Sequence, residues 1–415
     1  MKGASLPKSQ RGQDSARGGW GVWLTPAHCH SERRSVTGRV ERYREAAAVR
    51  VQVRSRRAPH TPPPPFPKCC AGDLYMNASG MNAFELTRAL IDIDSVTPNE
   101  ERVGVFLAEH LGAIAARTGG HVERLEVEPH RYNVLAYWDA PVVTFSTHID
   151  TVPPFFASRE DDEFIWGRGA CDTKGIIASM IFAVEAMLAA GERRIALLFV
   201  VGEERNSAGA FAASRDTRGS KFLINGEPTE SKLVLGSKGA LRFEVVAQGR
   251  MAHSAYPQLG ESAIEKLLDA LERLRRMPLP TDSVLGASTL NIGTIKGGRA
   301  PNVIADHAMA EVFIRLVDDG AATRRAVDEA VAGKAEAKEI LCIPAVHMGT
   351  IEGLETSVVA YTTDIPAFNG TWGTPYLFGP GSIHVAHTDQ EHISKREILA
   401  AIESYQTIAK YLLQR

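Results

Sequence analysis

The chain has 415 residues, 44% of them apolar, 23% charged and 7% aromatic, an ordinary globular composition that excludes a fully disordered chain, a collagen-like fibre and a disulfide scaffold. Its 47 Lys and Arg against 49 Asp and Glu give a formal net charge of −2, so there is no chain-wide electrostatic reason to expect nucleic acid or an anionic membrane as partner. No apolar run approaches the ~20 residues of a membrane helix, and 5 scattered cysteines fit a reducing, cytoplasmic compartment.

Residues 1–80 differ in composition from the rest. They hold 14 Lys and Arg against 5 Asp and Glu, with 8 of the 22 prolines, whereas the remainder holds 33 against 44. Such a segment cannot bury enough apolar surface to offset chain entropy, and we read it as a disordered basic leader, with Met76 or Met81 as the natural start. His28-Cys29-His30 and Cys69-Cys70 lack a pre-organised four-ligand setting and are read as incidental. From Met81 onward the spacing predicts helices over 83–93 and 101–112, with Thr97-Pro98-Asn99-Glu100 as break and cap. Short β-branched runs at 133–138, 142–147, 195–201 and 221–225 surround a helix over 175–190, the pattern of a buried α/β sheet.

Near residue 236 the pattern changes. Leu241, Phe243 and Val245 alternate with Arg242 and Glu244, as in a half-solvated antiparallel strand. A strand at 241–247, a helix at 261–276, strands at 289–295 and 309–316, a helix at 320–333 and a strand at 338–343 spell β-α-β-β-α-β, a ferredoxin-like insertion. The chain then resumes with a strand at 375–378, the loop Gly379-Pro380-Gly381-Ser382 and a closing helix over 395–413. The expected organisation is a catalytic domain over 81–235 and 347–415, interrupted by a lid over 236–346.

Acidic residues and histidines collect where the predicted strands end: His148-Ile149-Asp150, Asp172 before a helix, Glu203-Glu204, Glu227, and His387 after the Gly-Pro-Gly loop. In open α/β sheets the loops at the carboxyl ends of strands converge on one crevice. Carboxylates rarely cluster without a cation to neutralise them, so the set points to a hydrolytic dinuclear site built from oxygen and nitrogen ligands, which activates water near neutral pH. Residues i and i+2 of an extended stretch share a side, so Asp150 can orient the His148 imidazole. Of the adjacent Glu203 and Glu204, one can bind metal while the other serves as general base. Cys171 has no cysteine partner and reads as packing, and His384 is a rival to His387.

These motifs resemble the di-zinc hydrolases of peptidase family M20, which include aminoacylases, N-acetylornithine deacetylases, succinyl-diaminopimelate desuccinylases, carboxypeptidase G and several dipeptidases. The resemblance covers about residues 82–415. It implies an α/β catalytic domain with a mixed central sheet and helices on both faces, interrupted by a lid that forms a homodimer interface. It implies two Zn²⁺ per subunit, with Co²⁺ as a substitute. His148, Asp172 and Glu227 would bind one ion and Asp172, Glu204 and His387 the other, with Asp172 bridging and Glu203 as base. His253, in Gly249–Pro257, would stabilise the oxyanion from a neighbouring subunit, and Asn302, Arg315 and Gly381 would hold the substrate carboxylate. Asp389-Gln390-Glu391 departs from the usual closing pattern, which bears on fine positioning. The closing loop resembles N-acetylornithine deacetylases most, implying hydrolysis of a small N-acyl-amino acid, N-acetylornithine or N-acetyl-lysine. A desuccinylase, a dipeptidase or carboxypeptidase, and a silent metal-binding interaction protein are the rivals.

Overall fold

The computed structural model describes residues 80–415. The expected leader, with its Cys and His pairs, therefore lies outside the described residues apart from Gly80.

The first helix, Ala83–Ile91, starts where Asn82 accepts hydrogen bonds from the amides of Phe84 and Glu85, while the Glu85 carboxylate accepts from the Asn82 amide. This reciprocal cap satisfies amides that the first helical turn leaves unpaired. The second helix, Glu101–Thr118, runs past the predicted end at 112. Gly112 faces open space, so the helix passes through it and ends at Gly119, whose φ of 74° closes the last turn.

The central sheet is mixed, with strands in the order His121–Glu128, Arg131–Tyr137, Ile195–Val200, Val143–His148, Phe222–Asn225, Thr374–Leu377, Leu233–Ser237 and Val346–His347. Its four middle strands, from Ile195–Val200 to Thr374–Leu377, are mutually parallel. Every residue of Val143–His148 and Ile195–Val200 is buried, as expected of strands covered on both faces. The helices Gly175–Ala189 and Lys395–Leu412 pack into the same core as Ala83–Ile91 and Glu101–Thr118. The apolar Gly175–Ala189 is buried along most of its length.

The first strand of the sheet, His121–Glu128, was not legible beforehand. It is a partly exposed edge strand whose apolar residues do not alternate cleanly. Leu233–Ser237 was missed as well, being too short to show a period.

The inserted segment forms its own antiparallel sheet, in the order Thr289–Gly297, His307–Leu316, Gly239–Gln248 and Glu336–Ile343. In chain order this is the 4-1-3-2 arrangement of a ferredoxin-like unit. The helices Ala263–Arg276 and Ala321–Val331 cover one face, and their apolar residues join Phe243, Val245, Val312 and Ile314 in a core separate from that of the large sheet.

Candidate metal centre and active site

The four parallel strands deliver their chemistry at one end. Val143–His148 finishes on His148, Ile195–Val200 leads into Gly202-Glu203-Glu204, and Phe222–Asn225 leads into Gly226-Glu227. Thr374–Leu377 leads through the Gly379–Ser382 turn to His387. Asp172 comes from the turn just before Gly175–Ala189. These are carboxyl ends of adjacent parallel strands, where the loops of an open α/β sheet form a crevice.

Asp172 stands at the centre. One of its oxygens lies 2.9 Å from Nε2 of His148 and the other 3.3 Å from Nε2 of His387. His387 Nε2 also lies 3.0 Å from Glu204 Oε1, and His148 Nε2 lies 4.0 Å from Glu227 Oε2. Two triads result, His148 with Asp172 and Glu227, and Asp172 with Glu204 and His387, each with ligand atoms within 4.8 Å of one another. A third combination, His148, Glu203 and Glu204, meets the same limit, so Glu203 stands beside the centre without belonging to either triad.

The electrostatics fit a cation-binding site. Burial and the charge of Asp172 push the Glu227 carboxyl well above its ordinary range, and Oε1 of Glu227 is buried without a hydrogen-bond partner. Burial and the neighbouring charge of Glu227 raise Glu203 in the same way. Hydrogen bonds to Asp172 and Glu204 push His387 up to about 10. Burial works against ionisation of Asp172, yet its bonds to His148 and His387 hold it below the ordinary carboxylate range. Clustered, desolvated carboxylates facing imidazole nitrogens form a donor set that a divalent cation would neutralise. The donors are carboxylate oxygens and imidazole nitrogens, a set suited to zinc-like ions.

The supporting contacts are specific. Nδ1 of His148 donates to the Asp150 backbone carbonyl at 3.0 Å, which leaves Nε2 facing the centre. The Asp150 carboxylate lies farther off, 3.6 Å from Nδ1. It also accepts from the amides of Gly202, Glu203 and Glu204 at 3.0, 3.1 and 3.2 Å and from the Thr97 hydroxyl at 2.6 Å. Asp150 thus clamps the loop that carries both glutamates, a role the i, i+2 argument did not foresee. Glu391, buried and paired with Arg168 at 2.6 Å, accepts from the Asp172 amide at 3.3 Å, so the closing segment does reach the centre. Cys171 is buried beside it, its thiol pushed up by burial, and joins neither triad.

The centre opens into a cleft of about 520 Å³ between the large sheet and the inserted unit. Asp172, Glu203, Glu204, Glu227 and His387 line it, as does Arg315 from the strand His307–Leu316. The Arg315 guanidinium lies over the Phe313 ring, 4.8 Å from its centroid, and burial lowers its pKa.

The sequence profile of peptidase family M20/M25/M40 matches residues 144–411, which contain every residue of both triads. The chain belongs to this family. It is 38% identical over 346 residues to a peptidase M20 domain-containing protein of Schizosaccharomyces pombe, covering 81% of this chain and 86% of that one. It is 35% identical over 380 residues to a probable carboxypeptidase of Aspergillus niger, covering 79% and 89%. The fold matches the crystal structure of the aminopeptidase PepT from Bacillus cereus with a TM-score of 0.67 at 21% identity, over 80% of this chain and 98% of that one. This M20 chain is accordingly a metal-dependent hydrolase of the peptidase type.

The four residues expected to meet the substrate do not all line the cleft. Arg315 lines the cleft, whereas His253, Asn302 and Gly381 do not. His253 and Asn302 face each other on an exposed part of the inserted unit, where His253 bridges Val303 and the Ser254 amide donates to the Asn302 carbonyl at 3.0 Å. Gly381 takes a φ of 84° and packs against Cys171, a position where a Cβ would approach the Cys171 Cβ to 2.7 Å. The rival His384 belongs to neither triad.

Proposed function

We propose that this protein hydrolyses the amide bond next to a free carboxylate in a small substrate, a dipeptide or an N-acyl-amino acid. The observation that carries the reading is the pair of triads sharing Asp172, with Glu203 beside them as a carboxylate outside either triad and Arg315, without a carboxylate partner among the described residues, lining the same cleft. Two zinc ions, with cobalt able to substitute, would be held by His148, Asp172 and Glu227 and by Asp172, Glu204 and His387. When bound, such a pair polarises the scissile carbonyl and makes water acidic enough to ionise near pH 7.

The protein residues supply the rest. Glu203 takes the proton of the attacking water and hands it to the departing amine, a role its raised pKa suits. The Arg315 fork holds the substrate carboxylate. His253 and Asn302, exposed on the inserted unit, would act in the site of a second subunit, so the active form is a homodimer joined through the lid over 236–346. A cytoplasmic location accords with the cysteine content.

The relatives named as probable carboxypeptidases support a peptidase or dipeptidase substrate. The resemblance of Gly379-Pro380-Gly381-Ser382 to N-acetylornithine deacetylases supports an acetylated basic amino acid as the second reading. The test is amine release from a dipeptide, N-acetyl-leucine, N-acetylornithine and N-succinyl-diaminopimelate, with and without added zinc. Zinc-dependent release from at least one is expected. Release from none, by a zinc-loaded dimer, overturns the reading.

A further inference from the structure

The wall of the cleft away from the metal centre carries information about the substrate side chain. Every carboxylate that lines the cleft, Asp172, Glu203, Glu204 and Glu227, belongs to the metal centre or stands beside it. The other charged lining residues, Arg205 and Arg315, are both cationic. Asp364 lies close by in sequence to the lining Thr362 and Thr363, but it is buried, does not line the cleft, and burial pushes its carboxyl up to about 7.

The remaining wall combines the polar Asn206, Ser207, Tyr361, Thr362 and Thr363 with an apolar part. Leu341 and Ile343 come from the last strand of the inserted unit, Pro344 follows them, and Phe211, Pro366 and Ile383 face them from the large domain. Leu341 is 41% and Phe211 53% exposed, so apolar surface stands open to solvent in the cleft. A ligand that covers it gains from burial, whereas an ammonium placed against it loses hydration and has no carboxylate to pair with among the described lining residues outside the metal centre.

Resting on the proposed amidohydrolase reading, we infer that the preferred substrate carries an aliphatic or aromatic side chain with a single free carboxylate, and that amides of basic amino acids such as ornithine and lysine are poor substrates. Arg315 takes the carboxylate, and the Leu341–Pro344 segment together with Phe211 and Ile383 takes the side chain.

The experiment compares kcat/KM for N-acetyl-leucine, N-acetylphenylalanine, N-acetylornithine and N-acetylglutamate on the zinc-loaded full chain. It repeats the comparison with Leu341→Glu, a half-exposed position where a polar side chain is tolerated. The apolar amides are expected to lead the ornithine amide by about tenfold or more, the range a hydrophobic pocket supplies. Leu341→Glu is expected to move that ratio towards ornithine by about tenfold. An ornithine or glutamate amide that equals or exceeds the leucine amide in the unaltered enzyme overturns the inference while leaving the amidohydrolase reading intact. If no acetyl amide turns over, the amidohydrolase reading fails for this class, and calorimetric binding of N-acetyl-leucine against N-acetylornithine to the zinc-loaded protein then decides the inference. Tighter leucine binding supports it, and equal or tighter ornithine binding overturns it.

Discussion

Replacing Asp150 by asparagine separates the clamp seen here from an action on His148. The carboxylate accepts from the Gly202, Glu203 and Glu204 amides and from Thr97, and it is fully buried. In Asp150→Asn one oxygen still serves Gly202 and Glu203, while the new NH₂ group faces the Glu204 amide, and the Thr97 hydroxyl must turn to accept. An orphaned buried donor costs about 1–3 kcal/mol, and loss of the charge in the two retained bonds costs about 1 kcal/mol each, about 3–5 kcal/mol in all. The hydrogen bond from His148 survives, because it ends on the Asp150 backbone carbonyl. Urea unfolding of the metal-free protein should show a lower midpoint with an unchanged slope. Turnover should fall about 10²-fold as Glu203 and Glu204 lose their placement, while zinc binding by His148, Asp172 and Glu227 persists. A variant with wild-type midpoint and turnover, or one that loses only the His148 metal, would refute the clamp.

Glu203→Gln should keep both metals and lose about 10²–10⁴-fold in kcat, read by metal analysis beside steady-state kinetics; near-normal turnover would exclude Glu203 as base. Metal binding should release protons at pH 7. His387, held near 10 by Asp172 and Glu204, is protonated there without metal and must give up its proton to bind. The His387 imidazolium adds stability to the metal-free fold below its unfolded pKa, and this is lost as pH rises through about 10. Calorimetric titration of zinc in buffers of different ionisation enthalpy measures the release, and buffer-independent heat would contradict it. Glu100→Gln should destabilise the protein by about 1–3 kcal/mol in denaturant unfolding, because it removes one of the two carboxylates that pair with the almost fully buried Arg131, leaving Glu128 at 2.7 Å.

Much of the site was legible because strand ends in a parallel sheet are local features of sequence. The apolar runs near 142–147 and 195–201 and the polar residues that follow them can be read without a structure. Which carboxylate touches which nitrogen could not be read. The i, i+2 rule sets Asp150 on the side of His148, and its carboxylate lies 3.6 Å from Nδ1, but the contact with the Glu203–Glu204 loop depends on how strands distant in sequence are ordered in the sheet. Glu391 looked like a departure from pattern, whereas its buried pair with Arg168 and its bond to the Asp172 amide appear only once the closing segment is folded against residues 168–172. The edge strand His121–Glu128 was missed because its partly exposed residues carry no clean alternation. The apolar cleft wall was missed because Phe211, Leu341 and Ile383 come from three distant segments and meet only in the fold.

The central claim is that two ions sharing Asp172 drive hydrolysis. The most direct measurement is a zinc titration of the metal-stripped protein, following bound metal and amide hydrolysis together, in the unaltered chain and in Asp172→Asn. Activity should appear as the second equivalent binds and should be absent from Asp172→Asn, which should also lose metal. Full activity in the stripped protein, saturation at one equivalent, or an active Asp172→Asn would contradict the account.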